Sequence, residues 1–202
     1  YSGGHQNLHW AIAARSRLLE LVGFGTVRFF DDSPHHVERV ENHPIEGWIL
    51  AQTLDANGRI VGFVCTGKAP YVDGTILHLD EDLLDDSLNA MLLNTGFAYP
   101  SFYSTLPTDL RPLMAEKARN ARANRLGLWK DATADPKGAK RVADLEALEE
   151  LVLWPKLYRR LSRYFSSGHI GLGQFEAWLR AAPNQRDDSI QFPDGELGNL
   201  HD

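Results

Sequence analysis

The stretch that decides the fold is Gly47-Trp-Ile-Leu-Ala-Gln-Thr-Leu-Asp-Ala-Asn-Gly-Arg-Ile-Val-Gly-Phe-Val-Cys65. Two apolar runs rich in β-branched and aromatic residues flank a short polar turn. The turn, Asp55-Ala-Asn-Gly58, places Asn57 and Gly58 where positive φ angles are needed. The pattern predicts a β-hairpin with strands Gly47–Leu54 and Arg59–Cys65.

The segments around this hairpin mix helical and strand patterns. Apolar residues at helical spacing predict a helix over Leu8–Val22, followed by a strand at Thr26–Phe30 and a loop over Asp31–Pro44. After the hairpin we expect a short strand at Thr75–Leu79. An amphipathic stretch from Leu83 to Gly96 then reads as a helix, with acids at its start and a glycine at its end.

The second half of the chain reads as helical. Thr108 or Asp109 can cap a helix that carries Pro112 in its first turn. The residues Asp131 to Gly138 have the composition of a domain boundary. Beyond them the pattern predicts helices over Ala139–Leu153, from Pro155 onward and over Gln174–Ala181, with a loop-like ending from Pro183. The fold class is therefore α+β.

Composition narrows the class of protein. The chain has 202 residues and a net charge of −6, which fits one domain plus an extension or two small domains. Its longest apolar run is far shorter than the roughly 20 residues that span a bilayer, so no membrane partner is expected. Cys65 is the only cysteine, which excludes an intrachain disulfide. In an alternating strand it reads as a small buried residue.

The charge is distributed unevenly along the chain. Residues 1–110 hold 6 basic and 14 acidic residues, whereas residues 111–163 hold 13 basic and 7 acidic residues. This basic middle has two interpretations, a local polyanion contact or a solvated helical surface. Four of its cations share one side of the helix that begins at Pro155. They either contact a nucleic-acid backbone or pair with the acidic first half of the chain; they are Lys156, Arg159, Arg160 and Arg163.

Three motifs, taken in order, resemble the staphylococcal-nuclease-like (thermonuclease) family. Asn57-Gly58-Arg59 is similar to its Tyr-Gly-Arg turn, with Asn57 in place of the tyrosine. Ser87-Leu-Asn-Ala-Met-Leu-Leu-Asn-Thr-Gly-Phe-Ala98 resembles its Asn-x-x-Leu-x-x-x-Gly-Leu-Ala helix. Ala115 to Trp129 resembles its final helix, which closes on Gly-Leu-Trp. The resemblance covers roughly residues 6–130, the part of the family's domain after its first three strands.

The resemblance implies a fold and an activity. The family's fold is a five-stranded OB-type barrel with helices, so we expect a partial barrel in residues 1–130 and a helical extension over residues 139–202. The family's activity is calcium-dependent hydrolysis of phosphodiester bonds in DNA and RNA. It uses a metal-binding carboxylate pair, a glutamate and two arginines. A hard cation bound by carboxylate oxygens neutralises the phosphate charge. An arginine guanidinium donates two parallel hydrogen bonds to phosphate oxygens. Only the second arginine matches a residue here, Arg59, which is the expected catalytic residue.

The resemblance also suggests substrate-binding residues. Tyr99, Phe102 and Tyr103 follow the second helix, where the family places aromatic rings against the nucleotide, and aromatic faces stack on bases without sequence preference. The alternative is that these rings fill the space between barrel and final helix. Lys68, in the loop after the hairpin, is a candidate phosphate contact, although most such lysines are simply exposed.

The resemblance implies calcium as the cofactor. This expectation rests on the resemblance alone, since no carboxylate pair in the chain matches the family's metal position. His5 and His9 have a metal-compatible spacing but lack an acidic companion, so we assign no metal ligand. The acids at Asp80-Glu-Asp82 read as complements to a helix dipole. Since the matching part begins almost at Tyr1, we expect upstream sequence or a partner chain to complete the barrel. The alternative function is a non-catalytic module that binds nucleic acid or a protein.

Overall fold

The computed structural model describes residues 6–55, 57–102, 106–131, 141–181, 188–191 and 197–199. Within these ranges the chain forms both helices and short antiparallel strands, with runs of strands separate from runs of helices, which confirms the α+β class. In chain order the elements are α1 (Leu8–Val22), β1 (Val27–Phe29), β2 (Val37–Val40), β3 (Gly47–Leu54), β4 (Ile60–Thr66), α2 (Glu81–Asp85), α3 (Leu88–Asn94), α4 (Leu110–Ala123), a 3₁₀ turn (Gly127–Lys130), α5 (Leu145–Glu149), α6 (Pro155–Ser166), α7 (Phe175–Ala181), β5 (Ser189–Gln191) and β6 (Leu197–Asn199).

The chain divides into two compact units. The central unit consists of Ile12–Asn124, and the terminal unit combines Tyr1–Ala11 with Arg125–Asp202. The predicted division into residues 1–130 and 139–202 stays a prediction, and residues 132–140, on which most of its boundary falls, lie outside the described residues.

The central unit is built on two hairpins. β1 pairs with β2, and β3 pairs with β4 in a ladder that runs from Gly47 opposite Thr66 to Leu54 opposite Ile60. A bulge between Ala51 and Thr53 interrupts this ladder. In the described part of the chain the strands form separate two-stranded sheets, and none of these closes on itself. Because a barrel needs a continuous ring of paired strands, the predicted OB-type barrel stays a prediction.

The amphipathic stretch from Leu83 to Gly96 forms two short helices rather than one. The break falls at Ser87, a good N-cap residue. Its Oγ accepts a hydrogen bond from the backbone N–H of Ala90 at 3.1 Å and donates to the carbonyl of Leu84 at 2.6 Å. The sequence pattern missed this break because the apolar spacing continues across it. Gly96 ends the stretch as predicted, with a φ of 76°.

The break places α3 against the outer edge of β4. Asn89, in the first turn of α3, accepts a hydrogen bond from the Val64 N–H at 3.0 Å, and its amide donates to the carbonyl of Gly62 at 3.4 Å. Cys65 and Ser87 form an isolated bridge beside this contact, and both are buried. The Asn89 side chain and the residues at the start of α3 therefore form hydrogen bonds with backbone groups of β4 that a neighbouring strand would otherwise pair.

The core of the central unit lies between α2, α3 and α4. Phe63 of β4 and Phe102 are among the partly buried residues that pack against it. Its buried members are Leu84, Ala90, Leu93, Leu110, Met114 and Ala118. The helix predicted after Thr108 is confirmed as α4, with Asp109 at its N-cap position and Pro112 in its first turn, where no intrahelical N–H is lost.

The terminal unit has its own core around α6. Pro155 begins this helix, as predicted, and Tyr164 is fully buried among the rings of Phe165, Phe175 and Trp178. The start of the chain also belongs to this unit. Trp10 Nε1 donates to an Asp131 carboxylate oxygen at 2.7 Å. The buried core residues are Val142, Leu148, Leu153, Tyr158, Leu161, Tyr164, Phe165, Phe175 and Leu179.

Four sequence predictions about elements are wrong. Thr75–Leu79 forms no strand, and Ile76 is 98% exposed, so no sheet face holds it. The predicted loop over Asp31–Pro44 contains β2. The predicted helix over Ala139–Leu153 is reduced, in its described part, to α5, because Asp144 caps the chain just before Leu145 and accepts the Ala147 N–H. The ending predicted as a loop contains the hairpin β5–β6.

We predict that Leu161→Ala destabilises the terminal unit by about 2–5 kcal/mol, because it leaves a cavity in a packed core. Leu161 is 1% exposed. Tryptophan fluorescence during urea unfolding suits the test, since Trp10, Trp129, Trp154 and Trp178 all belong to this unit. The matched control is Ile170→Ala, a residue 86% exposed. Equal unfolding midpoints for the two variants would contradict the assignment of this core.

We also predict that Asn89→Ala speeds hydrogen exchange of the Val64 amide about five- to tenfold, because a net hydrogen bond is worth about 1 kcal/mol. Asn94→Ala is the control, since Asn94 is an exposed asparagine on the same helix. Amide exchange measured by NMR distinguishes the two. An unchanged Val64 rate in the first variant would show that Asn89 does not protect the strand edge.

Candidate functional site

The turn between β3 and β4 is organised by one carboxylate. Asp55 Oδ1 accepts hydrogen bonds from the backbone N–H groups of Asn57 at 2.8 Å and Arg59 at 2.9 Å. The Gly58 N–H donates to the Asp55 carbonyl at 2.9 Å, which closes the turn. Aspartate is favoured at such positions because its side chain can bond to backbone N–H groups two residues on. The turn therefore has a fixed shape at the end of the hairpin.

The backbone of the turn agrees with the sequence prediction at Gly58, which has a positive φ of 76°. A glycine in the left-handed region directly before the second strand is typical of hairpin loops that end in a bulge. Arg59 follows that glycine directly, so the turn geometry sets where its side chain starts.

Arg59 forms an ion pair with the same aspartate. Its Nε donates to Asp55 Oδ2 at 2.7 Å, and its Nη2 lies 2.5 Å from that oxygen. The Arg59 side chain is nevertheless 75% exposed, against 25% for Asp55. The carboxylate thus orients the guanidinium while most of the arginine surface faces solvent. The sequence pattern places Asp55 in the turn but does not predict this pair, for which the signal is an aspartate and an arginine flanking a tight turn.

The ion pair shifts the titration of Asp55. The hydrogen bond from the Arg59 side chain, followed by that from the Arg59 N–H, lowers the pKa of Asp55 to about 2 from its ordinary 3.8. Since the folded pKa lies below the unfolded one, the ionised form stabilises the turn at pH values above about 4. That contribution is lost as the pH falls from about 4 to about 2.

Lys68 lies far from Arg59. It is exposed in the loop after β4, next to Gly67, whose N–H donates to the Glu46 carbonyl at the open end of the hairpin. The length of β4, at about 3.3 Å per residue, separates the two ends by about 20 Å. The structure therefore does not bring Lys68 to the Arg59 turn.

The predicted aromatic residues differ in their surroundings. Phe102 packs against the core of the central unit, which favours the interpretation that it fills space beside α4. Tyr99 is half-buried. Tyr103 lies outside the described residues. A role in base stacking stays a prediction for all three.

The basic middle of the chain is partly engaged in internal contacts. On α4, Lys117 forms an ion pair with Asp85 at 2.5 Å, and Arg111 donates to the Leu106 carbonyl through Nε at 3.1 Å and Nη2 at 2.9 Å. Arg119 and Arg122 are exposed on the same helix. Excess positive charge in the sequence therefore overstates the positive surface that α4 presents.

The described residues do not fit a calcium site. Among them, no three His, Cys, Asp or Glu side chains come together in a way that could hold a metal ion. The acids ahead of α3 have other roles, since Asp80 caps α2 by accepting the Leu83 N–H at 3.0 Å and Asp85 pairs with Lys117. This agrees with the interpretation of these acids as helix-start residues. His9 is exposed, and His5 lies outside the described residues.

We predict that Arg59→Ala raises the pKa of Asp55 from about 2 toward its ordinary 3.8, because the variant removes the hydrogen bond that contributes most to the shift. The carboxyl ¹³C shift followed by NMR against pH measures it. Arg28→Ala, a change at an exposed arginine of β1, should leave the Asp55 titration unchanged. An Asp55 pKa that stays near 2 in Arg59→Ala would refute the ion pair.

In the described part of the chain, no helix combines the length and apolar character that a membrane crossing requires.

Comparisons with known proteins bear on this site. A search of curated proteins gives no match. The family model described as staphylococcal nuclease homologue matches residues 33–131, a range that holds the β3–β4 hairpin, Arg59 and α4. The resemblance to the staphylococcal-nuclease-like family is therefore confirmed over these residues.

Proposed function

We propose that the central unit binds the phosphate backbone of DNA or RNA, with Arg59 as a direct phosphate contact. The observation that carries the proposal is the exposed guanidinium held at the end of the hairpin by Asp55, within the family-matched range. A planar guanidinium matches phosphate oxygens with two parallel hydrogen bonds. Because Asp55 restricts the Arg59 rotamers, less side-chain entropy is lost when a phosphate binds.

Phosphodiester hydrolysis is a second candidate function, favoured by the match of residues 33–131 to the staphylococcal nuclease homologue family. In that case Arg59 would stabilise charge that develops on the phosphate oxygens, since preorganised donors act most strongly on such charge. Calcium-dependent hydrolysis would also need oxygen ligands for the metal. Those ligands would have to come from outside the described residues, because the described ones form no metal-binding group.

We further propose that additional strands cover the β3–β4 hairpin, from upstream sequence or from a partner chain. The register places four large apolar side chains on one face of this hairpin, opposite the face of Phe63 and Cys65. Apolar surface of this kind marks an interaction site in soluble proteins. β3 also contains no charged residue and no proline, the usual protections of a free strand edge. The exposed apolar residues are Ile49 (53%), Leu54 (60%), Ile60 (61%) and Val64 (40%).

We predict that Arg59→Ala weakens binding of a fluorescent single-stranded oligonucleotide about tenfold in EDTA, because a hydrogen bond to a charged group is worth about 1.5 kcal/mol at the lower end of its range, which suits an exposed side chain. The slope of log affinity against log salt should flatten by about 0.7, the value for one phosphate contact on a single strand. Arg59→Lys should recover the slope but only part of the affinity, since lysine keeps the charge and loses the fork. Arg28→Ala is the matched control.

The same proteins with calcium in place of EDTA separate the two candidate functions. Cleavage that requires both calcium and Arg59 would establish hydrolysis. Binding that requires Arg59, without cleavage, would establish a non-catalytic nucleic-acid-binding module. Affinity and slope that are identical in Arg59→Ala and Arg28→Ala would refute Arg59 as the phosphate contact.

A further inference from the structure

Four cations form a stripe along α6. Lys156, Arg159, Arg160 and Arg163 are spaced at i, i+3, i+4 and i+7, which places them on one side of an α-helix. The helix contains no acidic residue. Its other side supplies the core of the terminal unit, with the buried residues Tyr158, Leu161, Ser162, Tyr164 and Phe165. We call the four cations the α6 stripe.

One carboxylate bridges two members of the α6 stripe. Asp188 Oδ1 lies 2.9 Å from Lys156 Nζ, and Asp188 Oδ2 lies 3.3 Å from Arg160 Nη2. The side chains of Lys156, Arg160 and Asp188 are between 21% and 27% exposed. The two carboxylate oxygens thus occupy the space between two cations one helical turn apart. A phosphate group presents the same pair of acceptor oxygens to such an arrangement.

The rest of the α6 stripe lacks such a neighbour. Arg159 and Arg163 are exposed and form no ion pair with the described residues. Arg160 has a further donor to satisfy, since its Nε is buried and has no hydrogen-bond partner in the described part of the chain. Asp188 therefore neutralises only part of the charge of Lys156 and Arg160. Arg159 and Arg163 remain open to an anion.

We infer that the α6 stripe is a second contact for a nucleic-acid backbone, in which Asp188 holds the place of a phosphate until the polymer binds. This inference rests on the proposed function for its class of ligand but uses a separate surface. A backbone phosphate would exchange with the Asp188 carboxylate between Lys156 and Arg160. Neighbouring phosphates would contact Arg159 and Arg163.

Two features favour nucleic acid over other polyanions. The stripe extends about 10 Å along the helix axis from Lys156 to Arg163, which is about three nucleotide steps of 3.4 Å along a strand. A membrane-bound amphipathic helix needs an apolar face to insert between lipids. The apolar face of α6 is already buried in the protein core, with Leu161 at 1% and Tyr164 at 0% exposure.

Asp188→Asn tests the exchange directly, because it removes the competing charge and keeps the shape of the side chain. We expect this variant to bind a single-stranded oligonucleotide about three- to tenfold more tightly at 50 mM salt in EDTA, with a salt slope steeper by about 0.7, the value for one contact on a single strand. Adding Arg159→Ala and Arg163→Ala to it should flatten the slope by about 1.4, the value for two lost contacts on a single strand.

The controls separate charge, folding and location. Glu146→Gln changes the net charge equally at an exposed acid of α5 that forms no ion pair with the described residues, and it should leave affinity unchanged. Arg141→Ala serves the same purpose for the arginine variants. Circular dichroism during heating verifies that each variant is folded under the binding conditions.

The outcomes distinguish this inference from the proposed function. If Arg59→Ala weakens binding while Asp188→Asn behaves as Glu146→Gln does, the proposed function stands and the α6 stripe is not a contact. If the stripe variants change binding and Arg59→Ala does not, the α6 stripe is the nucleic-acid contact and Arg59 is not. Binding of the Asp188→Asn variant to phosphatidylserine vesicles but not to the oligonucleotide would overturn the inference in favour of a membrane surface.

Discussion

The candidate site depends on the Asp55 carboxylate. One of its oxygens accepts two backbone N–H groups of the turn, and the other accepts the Arg59 guanidinium. The turn conformation and the arginine orientation are therefore coupled through a single side chain. A charge-assisted hydrogen bond is stronger than a neutral one, and the low pKa of Asp55 expresses this preference for the ionised form. The hairpin beyond the turn is anchored separately, because Asn89 and Ser87 satisfy backbone groups along the outer edge of β4.

The two edges of the β3–β4 hairpin differ in how their backbone groups are satisfied. On the β4 side, the start of α3 supplies polar partners and buries Cys65. On the β3 side, no strand in the described part of the chain pairs with the outer edge. The hairpin also exposes the apolar face that includes Ile49 and Ile60. With α3 on one edge and no strand on the other, β3 and β4 form a separate two-stranded sheet in the described part of the chain.

Sequence patterns predicted the features that depend on local chemistry. The hairpin follows from alternating apolar residues around Asn57-Gly58, and α6 follows from Pro155 and its apolar spacing. The patterns missed features that depend on contacts between distant segments. The break at Ser87 is stabilised by packing against β4, and the pairing of Asp188 with Lys156 joins residues far apart in the chain. Hydrophobic periodicity carries no information about such pairs, since it reports only which face of an element is buried.

Arg59 and two members of the α6 stripe, Lys156 and Arg160, share one electrostatic arrangement, because each is held by a carboxylate of its own unit. With a net charge of −6, the protein as a whole repels a polyanion, so attraction must come from local contacts. A single carboxylate and a single phosphate compete on similar terms for a guanidinium. A polymer brings adjacent phosphates at high effective concentration once the first has bound, and it releases condensed counterions at each contact. The proposed exchange therefore favours a nucleic-acid chain over an isolated anion, and binding by this route depends on polymer length and on salt.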